Sequence, residues 1–272
     1  YSDFSKIAAL NDDGWIASPL DWKNISNASD KNPMQALPYN KLHCTSWNVN
    51  QASAMILCSE ELANELNIPQ KNRLYPLASS ETNHMIAAIQ RPNIIKPTGL
   101  QLAADFILNI CKEHSIKPNI FEVYSCFPVA VQMFADSLNL DLNSNLTSTG
   151  GMPFAGGPLN HFVIQSTVKV LKDIKKDSNK IGLVTGVSGM MTKQSFALWA
   201  KDPFINFVSK DVTNEAEKIE KPIPLSNLKE GAGKVLGYTV LPKNDVNNKK
   251  AVIYIEDLNR ARKVIISYDK KI

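Results

Sequence analysis

Residues 146–161, LTSTGGMPFAGGPLNH, put four glycines and two prolines into sixteen positions and run straight into an apolar, helix-patterned segment. Glycines allow positive φ and let a backbone come close to a ligand, and a helix start leaves N–H groups free for an anion or a carbonyl oxygen. The chemistry offered by Gly150, Gly151, Gly156 and Gly157 is therefore binding through backbone donors rather than proton transfer. Gly186, Ser188 and Gly189 provide a second donor set in a tight turn after an apolar run. His161 closes the first loop at or near a helix N-terminus, where the dipole favours a neutral imidazole base. His84 ends Ser79-Ser-Glu-Thr-Asn-His after a predicted strand, and loops at strand ends carry sites. His43 and Cys44 are adjacent, but neighbours on a strand point to opposite faces, which argues against a reactive dyad.

Composition narrows what these residues serve. The 272 residues are 44% hydrophobic and 21% charged, with a formal net charge of +4 spread evenly along the chain. Nucleic-acid binders cluster their basic residues, so no nucleic-acid partner is expected, and Arg260-Ala-Arg-Lys263 reads as a solvated turn. No run approaches the roughly 18 apolar residues of a membrane span, and the start lacks a signal-peptide pattern; a cytoplasmic protein is expected. Cys44, Cys58, Cys111 and Cys126 stand singly beside apolar stretches, which predicts reduced, mostly buried thiols and no metal site. The chain begins at Tyr1, and the expectation is a processed chain or a fragment.

These candidates need elements to hold them. Residues 1–45 read as irregular structure with short helical turns. Residues 51–59 look like a strand buried on both faces, followed by a helix at 60–67 with Ser59 as N-cap. Further strands are predicted at 73–78 and 120–124, and helices at 99–115, 127–138 and 160–175, the first with apolar residues recurring at three and four. A strand, a glycine turn and a second strand or helix follow at 180–191. Such alternation implies an α/β layered domain with a mostly parallel or mixed sheet. Residues 210–224 read as a charged linker. Beyond them, β-rich runs at 234–241, 250–255 and 263–268, separated by Lys243-Asn-Asp and Asn247-Asn turns, predict a small all-β, barrel-like module that ends incomplete at Ile272.

Four segments in the same order carry a resemblance to the thiolase superfamily. Gly150-Gly-Met-Pro-Phe-Ala-Gly-Gly-Pro158 resembles the thiolase G-G-A-I-A-L-G-H-P loop, and Asn48-Val-Asn-Gln-Ala-Ser-Ala-Met-Ile56 resembles G-I-N-D-G-A-A-A. Tyr124-Ser-Cys-Phe127 is similar to N-E-A-F or H-D-C-F, and Gly182-Leu-Val-Thr-Gly-Val-Ser-Gly-Met190 is similar to the segment carrying C-x-G. Residues 32–43 fit the thiolase-like acetyl-CoA acetyltransferases with an extra C-terminal β domain. The resemblance implies an α/β fold: the layered βαβαβαββ mixed sheet of a thiolase C-terminal half plus the β appendage. It divides the chain into 1–58, a remnant of the loop region and last strand of the N-terminal half; 59–204, the C-terminal-half domain; and 205–272, linker and appendage.

The resemblance also implies coenzyme A or acyl-CoA as substrate, no covalently bound cofactor, and as partner either the missing N-terminal half or a second copy. Thiolase chemistry needs a thiolate, a base, a proton-shuttling Cys and oxyanion donors. Here the G-H-P histidine falls on Gly157, the C-x-G cysteine on Val184, and the N-E-A-F asparagine and glutamate on Tyr124 and Ser125. His84, His161 and Cys126 are the candidate catalytic substitutes, each weighed against a packing role. Trp47 is placed to flank a pantetheine tunnel or simply to pack. Two functions stay open: part of an acyltransferase, or a non-catalytic CoA-binding scaffold.

Overall fold

The computed structural model describes residues 1–242 and 250–268. The N-terminal stretch is short elements tied by side chains. Helix α1 (Ser2–Ala9) buries Phe4, Ser5 and Ala8, and α2 (Trp22–Ser26) starts at Asp21, whose carboxylate accepts the Lys23 N–H. A two-stranded hairpin, β1 (Met34–Ala36) and β2 (Tyr39–Asn40), follows. Asn32 gathers this stretch: its amide donates to the carbonyls of Asn24, Ile25 and Asn27, and its Oδ1 accepts the Leu42 N–H at 2.8 Å.

The run at 51–59 is not a buried strand. Residues 52–58 exchange no backbone hydrogen bond with any described residue, and Ile56 and Leu57 are 91% and 71% exposed. Its composition suits a strand, but a strand exists only beside another, and no described strand lies alongside. Helix α3 (Glu60–Glu65) follows as expected, with Ser59 Oγ accepting the Leu62 N–H at 3.2 Å.

The main body runs β3 (Tyr75–Thr82), α4 (Thr98–Glu113), β4 (Ile120–Glu122), α5 (Pro128–Ser137), α6 (Met152–Ala155), α7 (Phe162–Lys176), β5 (Ile181–Ser188), β6 (Lys193–Ala200), β7 (Val208–Asp211) and α8 (Thr213–Ile219). Its sheet has the order β4-β5-β6-β3-β7: the two outer pairs are parallel and the two inner pairs antiparallel. The supposed linker thus supplies an edge strand and a helix; its polar residues fit an edge, where only one side of the ladder is paired.

Strand alternation sorts the core onto two faces. Leu183, Phe196, Leu198 and Ala200 join α4 and α5 in the larger cluster, where Leu100, Ile107 and Ile110 of α4 are buried. Each such side chain contributes roughly 1.5–3 kcal/mol by leaving water. Val184 and Trp199, one position along, pack against Val170 and Ile174 of α7.

The appendage is a three-stranded antiparallel sheet of β8 (Gly233–Leu241), β9 (Lys250–Asp257) and β10 (Arg262–Ser267). Among the described residues it is open rather than barrel-like; the turns expected at 243–248 and the end at Ile272 lie outside them. Arg262 is not in a solvated turn. It is buried, donates to the carbonyls of Ile89, Arg91 and Pro92, and pairs with Glu256, fastening the appendage to the body.

Candidate functional site

The glycine loop is set from beneath by Glu122, the last residue of β4. Its carboxylate is fully buried and accepts four hydrogen bonds: from Thr147 Oγ1 (2.9 Å), Thr149 Oγ1 (3.0 Å), and the N–H groups of Ser148 (2.8 Å) and Thr149 (2.7 Å). Burial pushes its pKa up to about 7, against the lowering effect of those donors. The sequence signal for it was a lone glutamate in the apolar strand Ile120-Phe-Glu-Val-Tyr.

Gly150, Gly151 and Gly156 all take positive φ, at 99°, 77° and 95°. A Cβ at Gly150 would overlap the backbone of Ala8 in α1, so glycine is required there. Most of the loop's N–H groups are already used, by the loop's own threonines or by residues from distant segments. Gly150 donates to Thr147 Oγ1, Gly151 to Thr149 Oγ1, Met152 to Ser125 Oγ and Gly157 to the Ser46 carbonyl. The donor set open to a ligand is narrower than the sequence suggests: Gly156 has no partner among the described residues but is buried, which leaves the start of α7, which no side chain caps.

At Gly157, a Cβ would stand 2.8 Å from Thr45 Cγ2 and 2.9 Å from Met152 Cε. Those side chains fill the space an imidazole would need. Val184 is buried among aliphatic neighbours. Tyr124 packs edge-on against Phe162 at 5.8 Å, and burial raises its phenol to about 12.

The three candidate catalytic side chains are not brought together. His161 lies before α7 with Nε2 3.5 Å from Ser53 Oγ. His84 stands against α8, Nε2 3.3 Å from the Glu220 carbonyl and Nδ1 4.0 Å from Glu217. Cys126 sits beside Tyr1 and Cys44, and burial pushes its thiol up to about 11, so it is not a thiolate at neutral pH. Trp47 is 60% exposed. Gly186 and Ser188 share a cleft of about 240 Å³ with Glu81, Val163 and Gln194, whereas Gly189 (φ 58°) serves the β5–β6 turn.

A larger cavity of about 610 Å³ lies on the α7 face of the sheet. Ser79, Glu81, Trp199, Phe207 and Ser209 line it, with Val163 and Ile164 of α7 as a partly exposed wall. Helix α7 packs on β4, β5 and β6, so the strands beyond it on this face stay open. Among the described residues no group of three His, Cys, Asp or Glu could hold a metal ion, and no helix is long and apolar enough to cross a membrane.

No protein-family model matches the sequence, and no curated protein does. Solved structures do. The crystal structure of a monomeric SCP2-thiolase-like protein type 1 from Mycobacterium smegmatis superposes on 100% of this chain with a TM-score of 0.87 at 21% identity. This chain spans 60% of that protein's length. The dimeric peroxisomal thiolase of Saccharomyces cerevisiae (21% identity, 52% of this chain, 33% of that one, TM-score 0.36) and the Acat5 thiolase from Ascaris suum in complex with coenzyme A (18%, 53%, 34%, 0.39) overlap only in part. The likeness is one of fold.

Proposed function

We propose, from a thiolase-type fold, that this chain is the C-terminal portion of a thiolase-like acyl-CoA acetyltransferase, binding a coenzyme A thioester without turning it over alone. The carrying observation is Gly157: the loop that in the resembled family delivers a histidine keeps its glycine geometry here but has its side-chain space filled by Thr45 and Met152. The uncapped start of α7, where Val163 lines a cavity, suits a thioester oxygen, while the buried Cys126 thiol and the separated histidines supply no nucleophile–base pair.

A second reading, a non-catalytic CoA-binding scaffold, is favoured by the same replacements. The two part on upstream sequence: a cysteine at the thiolase nucleophile position supports the enzyme, and its absence supports the scaffold. In either case the unpaired run at 52–58 and the open sheet face favour a partner, either the N-terminal half of such a fold or a second copy. The test is a pair of assays on the 272-residue chain. Calorimetry is expected to detect acetyl-CoA binding, and acetyl-CoA formation from acetoacetyl-CoA and CoA is expected to be absent. Turnover would overturn the inactive assignment, and absence of binding would overturn the CoA site.

A further inference from the structure

The two edges of the appendage sheet are treated differently. On β8 the Leu37 N–H donates to the Val240 carbonyl at 2.9 Å, and Thr239 Oγ1 donates to the Leu37 carbonyl at 2.8 Å. On β10, residues 224–226 run alongside only as far as Arg262, whose N–H donates to the Pro224 carbonyl and whose carbonyl accepts the Ser226 N–H. Those two bonds fix which backbone groups of β10 point outward, because alternate residues of an antiparallel ladder turn both groups to the same side. Arg262 turns its pair away from β9, so Val264 and Ile266 do the same, while Lys263, Ile265 and Ser267 bond β9. The Asp257 N–H, donating to the Ala261 carbonyl at 2.8 Å, agrees with this phase.

The outward N–H and C=O groups of Val264 and Ile266 have no hydrogen-bond partner among the described residues. Val264, Ile265 and Ile266 are 40%, 36% and 51% exposed. Free edges are ordinarily blunted by proline, a bulge or an inward charge. Residues 264–266 carry none of these, and their register with β9 runs without a shift.

Which strand this edge accepts follows from its own spacing. Turned about a two-fold axis through Ile265, a second copy sets its Ile266 opposite Val264 and its Val264 opposite Ile266. Both members of each pair carry outward groups, so each pair exchanges two N–H···O bonds and every unpaired group of the edge is satisfied. Ile265 meets its own equivalent at a position without backbone bonds, where side chains stand closest. Lys263 falls opposite Ser267, so no like charges face each other. An axis through Val264 would instead set Ile266 against Arg262, whose groups residues 224–226 already hold.

We propose that β10 pairs antiparallel with β10 of a second copy, in register about Ile265, joining two appendage sheets into one. The contact is short, and the dimer it makes is a weak one. The proposal rests neither on the acyl-CoA reading nor on the exposed run at 52–58.

Cysteine placement reads the register. In a Cys58→Ser background, which removes the exposed native thiol, Val264→Cys, Ile265→Cys and Ile266→Cys are each incubated with oxidised glutathione, and disulfide-linked dimer is followed on non-reducing gels. Ile265→Cys is expected to cross-link at least tenfold faster than the other two, since only residue 265 meets itself, at a Cα separation that a disulfide accepts. Equal rates, or a faster rate at 264 or 266, would overturn the register. Hydrogen exchange on the unsubstituted chain decides the matter should a variant fail to fold. Protection of the Val264 and Ile266 amides is expected to rise with protein concentration, while the Ile265 amide, bonded to β9, stays unchanged. The same rise is expected in the chain carrying Ile56→Asp and Leu57→Asp. Its loss there, or no concentration dependence in either chain, would overturn the proposal.

Discussion

At the residue scale, Glu122 stands between two opposed effects: burial disfavours its charge, while four donors favour it. Burial wins, with the pKa raised to about 7. The sign of its pH effect follows. Between the ordinary glutamate pKa of about 4.5 and about 7, the unfolded chain has lost a proton that the folded chain keeps, so stability falls as pH rises through that window. The contribution is full below pH 4.5, is lost by about pH 7, and amounts to ~3 kcal/mol at ~1.4 kcal/mol per unit. Urea unfolding of the wild type at several pH values is expected to show this decline, and Glu122→Gln to flatten it. A parallel slope in both proteins would mean that Glu122 is not the titrating group. The sequence displayed the glutamate; its role was hidden because Thr147, Ser148 and Thr149 reach it only through folding, 25 to 27 residues along the chain.

At the element scale, the glycine loop was legible as a loop because Gly150-Gly and Gly156-Gly announce positive φ. What occupies its N–H groups was not legible, since Ser125 and Ser46 arrive from distant segments. The strictest glycine is Gly150, whose missing Cβ lets α1 pass. Gly150→Ala is expected to cost ~3 kcal/mol or more through strain and overlap. Gly237→Ala, where an added Cβ meets nothing, should stay within ~0.5 kcal/mol. Thermal melting of the two variants checks this, and equal Tm values would show that α1 yields easily. The run at 51–59 illustrates the opposite limit: a compact apolar stretch bounded by polar residues suits a strand buried on both faces, yet no described neighbour pairs with residues 52–58.

At the scale of the whole molecule, that run and the open half of the sheet leave Ile56, Leu57 and Phe207 exposed on one chain. Apolar patches of this kind mark association surfaces. Light scattering after size exclusion at tens of micromolar is expected to show self-association, reduced by Ile56→Asp with Leu57→Asp. A wild-type monomer with no concentration dependence would count against the proposed partner surface.

Local pattern settled what local forces control: helices from three–four spacing and caps, strands from alternation and β-branched residues, turns from glycine, and the order of segments that carries the thiolase resemblance. Only the tertiary structure decided the rest. It turned the charged linker into an edge strand and helix, buried Arg262 as a clamp, closed the space beside Gly157 and kept His84, His161 and Cys126 apart. The physical reason is shared: hydrogen-bond partners, burial and strand pairing belong to pairs of residues far apart in sequence, and no single segment encodes its own neighbour.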